Sequence, residues 1–236
     1  MTETPLDIRP SSIGLQDSDT IEEEIGLVAP DLETAPAARI VEWAHERFGD
    51  GLALAASFQD CVLIDIAVGA VPNLEVLFLD TQYHFAETLW YVEEVRKRYE
   101  LNLTVVKPLV RPDNLWQRDI DACCEARKVE PLRRAVAGRP AWMSGARRHE
   151  AITRSRTPVV RWDAARRIVQ VNPIATWTEH DVAGYIRDHG LPVHPLAAKG
   201  YPSIGCWPCT SPVAPGEDPR AGRWRGTGKL ECGINE

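Results

Sequence analysis

The fold is decided by residues 51–68, which read Gly51-Leu-Ala-Leu-Ala-Ala56, then Ser57-Phe-Gln-Asp60, Cys61 and Val62-Leu-Ile-Asp-Ile-Ala-Val68. The first six residues are a short apolar run, which is typical of a strand buried on both faces. A polar turn follows, and the next apolar run predicts a helix. A buried strand that leads through a turn into a helix is the beginning of an alternating α/β fold.

The same order continues on both sides of this segment. Residues Ala37–Phe48 predict a helix, because their apolar positions recur at helical spacing until Gly49. Residues 74–79 predict a second strand, 85–99 an amphipathic helix and Leu103–Val106 a third strand. Alternating strands and helices predict a doubly wound, mostly parallel α/β sheet.

The second half of the chain adds shorter elements. Residues 142–144 predict a strand, and residues 159–162 with Ile168–Val171 predict a hairpin. A helix is expected over residues 178–189, because Thr178 can cap its N-terminus together with the side chain three positions later.

Three regions are expected along the chain. Residues 1–32 predict a mobile or loosely docked arm, and residues 33–200 predict the α/β domain. Residues 201–236 are rich in Pro and Gly, so we expect a functional C-terminal segment there.

Composition excludes several classes of protein. The formal net charge of -7 argues against a protein that coats nucleic acid, since phosphate binding needs a basic field. No apolar run is long enough for a membrane helix, and the N-terminal sequence does not fit a signal peptide, so a cytoplasmic location is expected. Thiols stay reduced there, so the six cysteines are better interpreted as metal ligands or reactive groups than as disulfides. The oligomeric state is left open, a homo-oligomer included.

The charge is not spread evenly. Residues 127–167 contain twelve Lys or Arg and three acidic residues. This local excess fits an anion site, although a solvated basic helix face would leave the same pattern.

Four cysteines have the spacing of a metal site. Cys206 and Cys209 form a C-x-x-C, whose two thiolates can bind one centre, and Cys123 with Cys124 would complete a set of four. Adjacent side chains diverge, which favours a 4Fe-4S cluster, with its several iron corners, over a single zinc ion. A thioredoxin-like redox pair is the third interpretation of the C-x-x-C. Cys61 begins an apolar helix and is expected to be a small buried hydrophobe.

Cys232 stands apart from these cysteines. A free thiol close to the end of a chain is often incidental, but Arg220 and Arg223 lie shortly before this one. Positive charge lowers the pKa of a thiol from about 8.5, and guanidinium groups bind phosphate or sulfate through paired hydrogen bonds.

Two polar turns follow the first two predicted strands. They are Ser57-Phe-Gln-Asp60 and Asp80-Thr-Gln-Tyr83. Ligands of open α/β sheets bind at the carboxyl ends of the strands, so a nucleotide site is one interpretation. Neither turn is a Walker loop, and caps for the following helices are the alternative.

Together these motifs resemble the assimilatory adenosine 5'-phosphosulfate (APS) reductases. The resemblance covers residues 35–233 and rests on five matching stretches: Cys123-Cys-Glu-Ala-Arg-Lys-Val-Glu-Pro-Leu132, Gly145-Ala-Arg-Arg148, Tyr201-Pro-Ser-Ile-Gly-Cys-Trp-Pro-Cys-Thr210, Pro215-Gly-Glu-Asp-Pro-Arg-Ala-Gly-Arg-Trp224 and Glu231-Cys-Gly233. It implies an adenine-nucleotide α-hydrolase-like sheet, one 4Fe-4S cluster, and reduction of APS to sulfite and AMP with electrons from thioredoxin or a similar dithiol. Residues 33–200 would then be the nucleotide-binding and reductase domain.

The resemblance also implies roles for single residues. Cys232 would attack the sulfur of the substrate and carry a Cys-S-sulfonate. Cys123, Cys124, Cys206 and Cys209 would hold the cluster. Substrate contacts are implied for Ser57, Asp80, Thr81, Lys128, Arg147, Arg148, Arg220 and Arg223. One departure is Asn235, which stands where the family pattern has His and predicts weaker substrate binding or slower chemistry.

Three other functions compete with this one. A 3'-phosphoadenosine 5'-phosphosulfate (PAPS) reductase would share the fold, although its cluster-less members lack the paired cysteines. An ATP pyrophosphatase such as a sulfurtransferase would carry a Ser-Gly-Gly-x-Asp-Ser loop, which this chain lacks. A zinc-stapled binding module would make Cys232 incidental.

Overall fold

A computed structural model describes residues 18–234 of the chain. Its helices are α1 (Ser18–Leu32), α2 (Ala37–Phe48), α3 (Val62–Ala70), α4 (Ala86–Arg98), α5 (Leu115–Arg118), α6 (Ile120–Cys124), α7 (Glu130–Val136) and α8 (Glu179–Asp188). Its strands are β1 (Leu52–Ala56), β2 (Glu75–Leu79), β3 (Leu103–Val106), β4 (Ala141–Ser144), β5 (Val160–Asp163) and β6 (Ile168–Val171).

These strands form one sheet in the order β3-β2-β1-β4-β6-β5. All neighbours are parallel except β5 and β6, which pair as an antiparallel hairpin. The predicted α/β sheet and the predicted hairpin are therefore confirmed. The cap predicted for α8 is also present, because the Thr178 hydroxyl accepts a hydrogen bond from Asp181 N at 3.2 Å and the Asp181 carboxylate accepts one from Thr178 N at 2.7 Å.

The core lies on both faces of the sheet. Side chains alternate between the faces along each strand. Leu52 and Leu54 of β1 belong to the larger apolar cluster, which α2 and α3 cover, whereas Ala53 belongs to a smaller cluster that includes residues of α7. The continuous apolar run of β1 is thus explained by burial on two sides.

The chain order creates a switch point at β1. From β1 the chain builds β2 and β3 on one side and then crosses over to build β4 on the other. Such a reversal of strand order marks the carboxyl ends of β1 and β4 as the place where open α/β sheets bind ligands.

Residues 18–32, which lie within the predicted mobile or loosely docked arm, have regular structure. These residues form α1, which buries Ile25 and Leu32 in the larger apolar cluster. Arg47 of α2 donates a hydrogen bond to the carboxylate of Glu24 at 2.8 Å. Polar residues surround Ile25 and Leu32 in the sequence, but these two lie seven residues apart and therefore share one helix face. Residues 1–17 lie outside the described residues, and the division of the chain into three regions remains a prediction.

Within the described part of the chain, none of the helices has the length and the apolar character that crossing a bilayer would require.

Docking of α1 can be tested by substitution. Ile25 is 5% exposed and Leu27 of the same helix is 73% exposed. We expect Ile25→Ala to lower the free energy of unfolding by about 2 to 4 kcal/mol, because it removes buried methyl groups and leaves a cavity. Leu27→Ala is the matched control and should change the free energy of unfolding by less than about 0.5 kcal/mol. Equal effects in urea denaturation would contradict the docking of this helix.

Candidate active site

A large cavity opens at the carboxyl ends of β1, β2 and β4, where the switch point predicts a ligand site. We call it the main cavity. Its apolar lining includes Leu54, Leu63, Ile64, Phe78, Trp142 and Ile174. Its charged lining includes Asp60, Lys128, Arg147, Glu150, Arg154, Arg220, Arg223 and Glu231, and Cys232 also lines it. One space therefore combines apolar surface, a concentration of positive charge and a thiol.

The two predicted nucleotide turns contribute unequally. Ser57 and Thr81 line the main cavity, as the resemblance implies. Asp80 is not part of the lining, because its carboxylate accepts a hydrogen bond from Gln82 N at 2.9 Å within its own turn. Both turns contain a residue other than glycine in the left-handed region, Phe58 with φ 56° and Gln82 with φ 67°. Such backbone is strained and persists only where surrounding contacts hold it.

The pair Arg147 and Arg148 is divided by the structure. Arg147 is 3% exposed, lines the main cavity and donates a hydrogen bond to Glu150 at 3.0 Å. Arg148 instead donates to both oxygens of Glu33, at 2.9 and 2.7 Å, and to the carbonyl of Thr157. The backbone of Arg147 is extended, so the two side chains point in opposite directions. Arg148 joins the end of α1 to the loop before β5 and does not reach the cavity.

Lys128, Arg220 and Arg223 meet in the main cavity. Arg223 lies against the backbone of Gly205, where an added Cβ would come within 2.4 Å of its guanidinium. A larger residue at position 205 would displace the guanidinium, so the glycine is required for this close approach.

The ring of Trp224 packs against Arg220 and Arg223. The ring centroid lies 4.6 Å from Arg223 and 5.8 Å from Arg220, which are cation-π distances. The backbone of Trp224 is left-handed, with φ 48°, and its backbone N-H donates a hydrogen bond to the Cys209 carbonyl at 2.9 Å. The sequence motif contains this tryptophan but does not indicate its packing role.

A strip of alternating charge, which the sequence does not reveal, runs along the cavity wall. Glu150 binds Arg147 and Arg154, and Arg154 binds Glu231, which in turn binds Arg220. All five residues line the main cavity. Part of the basic excess of residues 127–167 is therefore balanced by two carboxylates, one of them from the C-terminal segment. These ion pairs could not be predicted from the sequence, because the partners lie up to 77 residues apart.

Cys232 lies in a field that favours its thiolate. Burial raises the pKa of this thiol, but the charges of Lys128 and Arg223 and the backbone N-H of Ile234 outweigh burial, so the pKa falls below the ordinary value. The negative charge of Glu231 opposes them. Asn235 lies outside the described residues, and its expected effect remains a prediction.

All six cysteines lie in the described region and are free thiols. Cys61 is 1% exposed, which confirms it as a small buried hydrophobe. A small second cavity, which we call the thiol cavity, is lined by all four predicted metal ligands: Cys123, Cys124, Cys206 and Cys209. Lys128, Arg223 and Trp224 line both cavities.

The two cysteine pairs are held by different elements. Asp119 caps α6 by accepting a hydrogen bond from Ala122 N at 2.9 Å, and this short helix carries Cys123 and Cys124. The C-x-x-C segment is fixed from the other side, because Trp207 N donates to the Tyr83 carbonyl at 2.8 Å. The Thr81 hydroxyl lies 3.3 Å from the Cys206 sulfur, so the turn after β2 also contacts this segment.

The donor set of the thiol cavity distinguishes between metal groups. Within residues 18–234, no group of three or more His, Cys, Asp or Glu side chains is arranged to hold a metal ion. A tetrahedral zinc ion needs four ligands at about 2.0 to 2.3 Å from one point. Four thiols that share a cavity without converging on one point fit the separated corners of a cluster better. Burial raises the pKa of Cys124 to about 12, so this thiol needs a positive centre beside it to be deprotonated at neutral pH.

Several buried donors have no partner among the described residues. Trp142 Nε1, Arg147 Nη1 and Arg223 Nε belong to residues that line the main cavity, and Arg127 Nε belongs to a residue that lines the thiol cavity. An unpaired buried donor is costly, and such groups commonly mark the place of a missing ligand. Each cavity is thus lined by a residue with a buried donor that an acceptor atom of a bound group could satisfy.

The sheet, its switch point and the main cavity define a protein of the adenine-nucleotide α-hydrolase-like class. The domain family described as "Phosphoadenosine phosphosulfate reductase domain" matches residues 52–212. The chain belongs to this family.

Similar proteins cover most of the chain. The adenosine 5'-phosphosulfate reductase of Mycolicibacterium smegmatis is 45% identical over 215 residues, which span 88% of this chain and 91% of the relative. The phosphoadenosine 5'-phosphosulfate reductase of Gloeobacter violaceus is 45% identical over 216 residues, which span 86% and 89%. The crystal structure of phosphoadenylyl-sulfate (PAPS) reductase from Candida auris, a phosphate complex, matches with a TM-score of 0.72 and 27% identity over 86% of this chain and 100% of that chain.

The field around Cys232 predicts a pH dependence. Lys128 stabilises the thiolate, so removing its charge in Lys128→Gln should raise the pKa of Cys232 and slow its alkylation at neutral pH. The measurement is the rate of iodoacetamide labelling against pH, read by mass spectrometry on residues 230–236, which trypsin releases after Lys229 with Cys232 as their one cysteine.

The control for this experiment is Lys199→Gln. Lys199 pairs with Glu87 at 3.0 Å and is not among the residues that line the main cavity. The midpoint of the wild-type profile should lie below that of an ordinary thiol, because the charges of Lys128 and Arg223 lower the pKa of Cys232. If both variants give the wild-type midpoint, Lys128 does not set the reactivity of Cys232.

Proposed function

We propose that this protein reduces APS to sulfite and AMP, with Cys232 as the nucleophile that carries the sulfonate. The observation that supports this most directly is the position of Cys232, whose thiol shares one cavity with Lys128, Arg220 and Arg223. A thiolate among guanidinium groups suits attack on the sulfur of an anionic ester. The names of the relatives indicate the same reaction class.

The lining of the main cavity matches the parts of the substrate. Apolar side chains such as Leu54, Phe78 and Ile174 offer a surface for the adenine ring. The unpaired N-H groups of Arg147 and Arg223 offer hydrogen bonds to the oxygen atoms of the substrate. The phosphosulfate would lie among the cations, where each contact to an ionised oxygen is charge-assisted.

The first step transfers the sulfonate group. The Cys232 thiolate donates an electron pair to the sulfur of APS, a new sulfur-sulfur bond forms, and the bond from that sulfur to the bridging oxygen breaks. AMP leaves with the electron pair of the broken bond. Lys128, Arg220 and Arg223 neutralise the charge that develops on the phosphate oxygen, which lowers the barrier.

The second step needs an external dithiol, for which thioredoxin or a similar reductant is proposed. One thiolate of the dithiol attacks the Cys232 sulfur, and sulfite leaves with the electron pair of the sulfur-sulfur bond. The second thiol of the reductant then displaces Cys232 and closes a disulfide. The dithiol is thereby oxidised by two electrons, APS sulfur is reduced by two, and Cys232 returns to its starting state.

A 4Fe-4S cluster is proposed for the thiol cavity. Cys123, Cys124, Cys206 and Cys209 would hold it, and when bound it would supply a local electrostatic field rather than electrons. Lys128 borders both cavities and would feel this field while it binds the phosphosulfate. The shared cavity supports one centre for all four thiols, and the divergence of the adjacent Cys123 and Cys124 side chains favours the cluster over the zinc-stapled module.

PAPS reduction is the second candidate, because one relative and one solved structure bear that name. The four cysteines support APS, because the cluster-less PAPS reductases lack the paired cysteines and all four line one cavity here. An ATP pyrophosphatase stays disfavoured, because the turn after β1 lacks the glycine-rich phosphate loop.

The sulfonate intermediate gives the main test. Incubation of the protein with APS and without a dithiol should add the mass of one SO3 group to the peptide of residues 230–236 and release one AMP per chain. Cys232→Ser should abolish both while AMP still binds. If APS stays intact after incubation with the wild-type protein, the proposed function is refuted.

Substrate preference is measured in the same assay. Single-turnover release of AMP from APS is compared with release of the corresponding bisphosphate from PAPS, at equal nucleotide concentrations. APS should react faster. A faster reaction with PAPS would transfer the proposal to the second candidate without changing the role of Cys232.

Metal content tests the thiol cavity independently of activity. Anaerobically purified protein should absorb broadly in the visible range and contain about four irons and four inorganic sulfides per chain. Cys124→Ser should lose most of the iron, whereas Cys61→Ala, which changes a buried cysteine away from this cavity, should retain it. One zinc ion per colourless chain would support the zinc-stapled module instead.

A further inference from the structure

The carboxylate of Glu231, directly before Cys232, makes four polar contacts. Arg154 donates to its two oxygens, with Nε at 2.8 Å and Nη2 at 2.7 Å. The Thr153 hydroxyl donates to Oε1 at 3.0 Å, and Arg220 Nη2 lies 3.3 Å from Oε2. Paired Arg-carboxylate contacts of this kind are stronger and more directional than ordinary surface ion pairs.

These contacts are largely shielded from solvent. The side chains of Glu231, Arg154 and Arg220 are 12%, 14% and 14% exposed. Burial raises the pKa of Glu231, but the hydrogen bonds and charges of Arg154 and Arg220 outweigh it, so the pKa lies below the ordinary value. The group is therefore an anion at neutral pH, and it is held between two guanidinium groups that also line the main cavity.

The rest of the tail has few other anchors. Residues 225–234 contain no helix or strand. Lys229 pairs with Asp121 of α6, Arg220 donates to the Leu230 carbonyl at 3.0 Å, and Ile234 packs on the smaller apolar cluster. Since no backbone ladder holds Cys232, its position depends on side-chain anchors of this kind. Arg225 makes as many contacts as Glu231, to Ser211, Pro212 and Glu217, but Glu231 is the anchor directly next to the thiol.

We infer that Glu231 is a positioning residue, which clamps the C-terminal tail onto Arg154 and Thr153 and thereby holds the Cys232 thiol beside Lys128 and Arg223. The inference deepens the proposed function and rests on it for its catalytic meaning. Glu231 itself touches no reacting atom in this role. It acts through the place that it gives to its neighbour.

A purely electrostatic role would have the opposite signature. Several groups contribute to the field at the Cys232 sulfur: Cys124, Lys128, Arg154, Arg223, Lys229 and Glu231. Glu231 is negative, so removing its charge with the tail in place would lower the pKa of Cys232. If Glu231 instead holds the tail, its removal lets the thiol leave the field of Lys128 and Arg223, and the pKa of Cys232 rises.

Three variants of the full-length protein separate the two roles. Glu231→Gln removes the charge and weakens the clamp. Thr153→Val removes one hydrogen bond to the carboxylate and leaves its charge unchanged. Glu217→Gln is the matched control, because Glu217 lies in the same C-terminal segment and pairs with Arg225 at 3.0 Å but is not among the residues that line the main cavity.

The first measurement is the pH profile of iodoacetamide labelling of Cys232 without nucleotide. Glu231→Gln should move the midpoint upward, Thr153→Val should move it less but in the same direction, and Glu217→Gln should leave it at the wild-type value. A downward shift in Glu231→Gln, or a midpoint equal to that of Glu217→Gln, would overturn the inference.

The second measurement is the single-turnover release of AMP from APS. Misplacement of a nucleophile by about 1 Å can slow a reaction about 100-fold, so Glu231→Gln should slow release by about 10- to 100-fold, with Glu217→Gln at the wild-type rate. If wild-type protein releases no AMP, the proposed function fails, while the labelling profile still decides whether Glu231 positions Cys232. If the labelling midpoint rises but release is unchanged, the clamp has no catalytic effect and the inference is refuted.

Discussion

Parallel pairing of β1 with both β2 and β4 is the constraint on which the rest of the structure depends. Leu54 lies opposite Val76 on one side and Met143 on the other, so the three strands end at the same edge of the sheet. The turns that follow them are forced together, although β4 begins 85 residues after β1 ends. The main cavity lies at these strand ends, where the strand order reverses.

The C-terminal segment completes this cavity with little regular structure of its own, namely a 3-10 turn at Trp207–Cys209 and one bridge between Thr210 and Arg223. Its backbone is attached to the strand turns, since Ile204 N donates to the Gln59 side chain at 3.0 Å and Trp207 N donates to the Tyr83 carbonyl. Charge then holds what the backbone does not, through the contacts of Glu231 and Arg220.

Much of the fold could be predicted from the sequence, because the apolar runs of the strands and the helical spacing of α2 are local signals. Local signals failed at α1, where two buried side chains are surrounded by acidic residues, and at Arg148, which has the same residue type and the same motif as Arg147. Extended backbone sends these two arginines to opposite sides, one into the cavity and one to Glu33. The difference depends on backbone geometry and on a partner 115 residues away.

The sequence by itself determined the class of sheet, the two cysteine pairs and the separate Cys232, because each of these is a pattern of residue types at short, fixed spacing. Only the tertiary structure decided which charges face that last cysteine. Glu231, Arg154 and Lys128 are far apart along the chain. The distances between their charges and the Cys232 sulfur are set only when the tail folds onto the sheet edge. Electrostatic fields are properties of positions in space, and a linear pattern does not contain those positions.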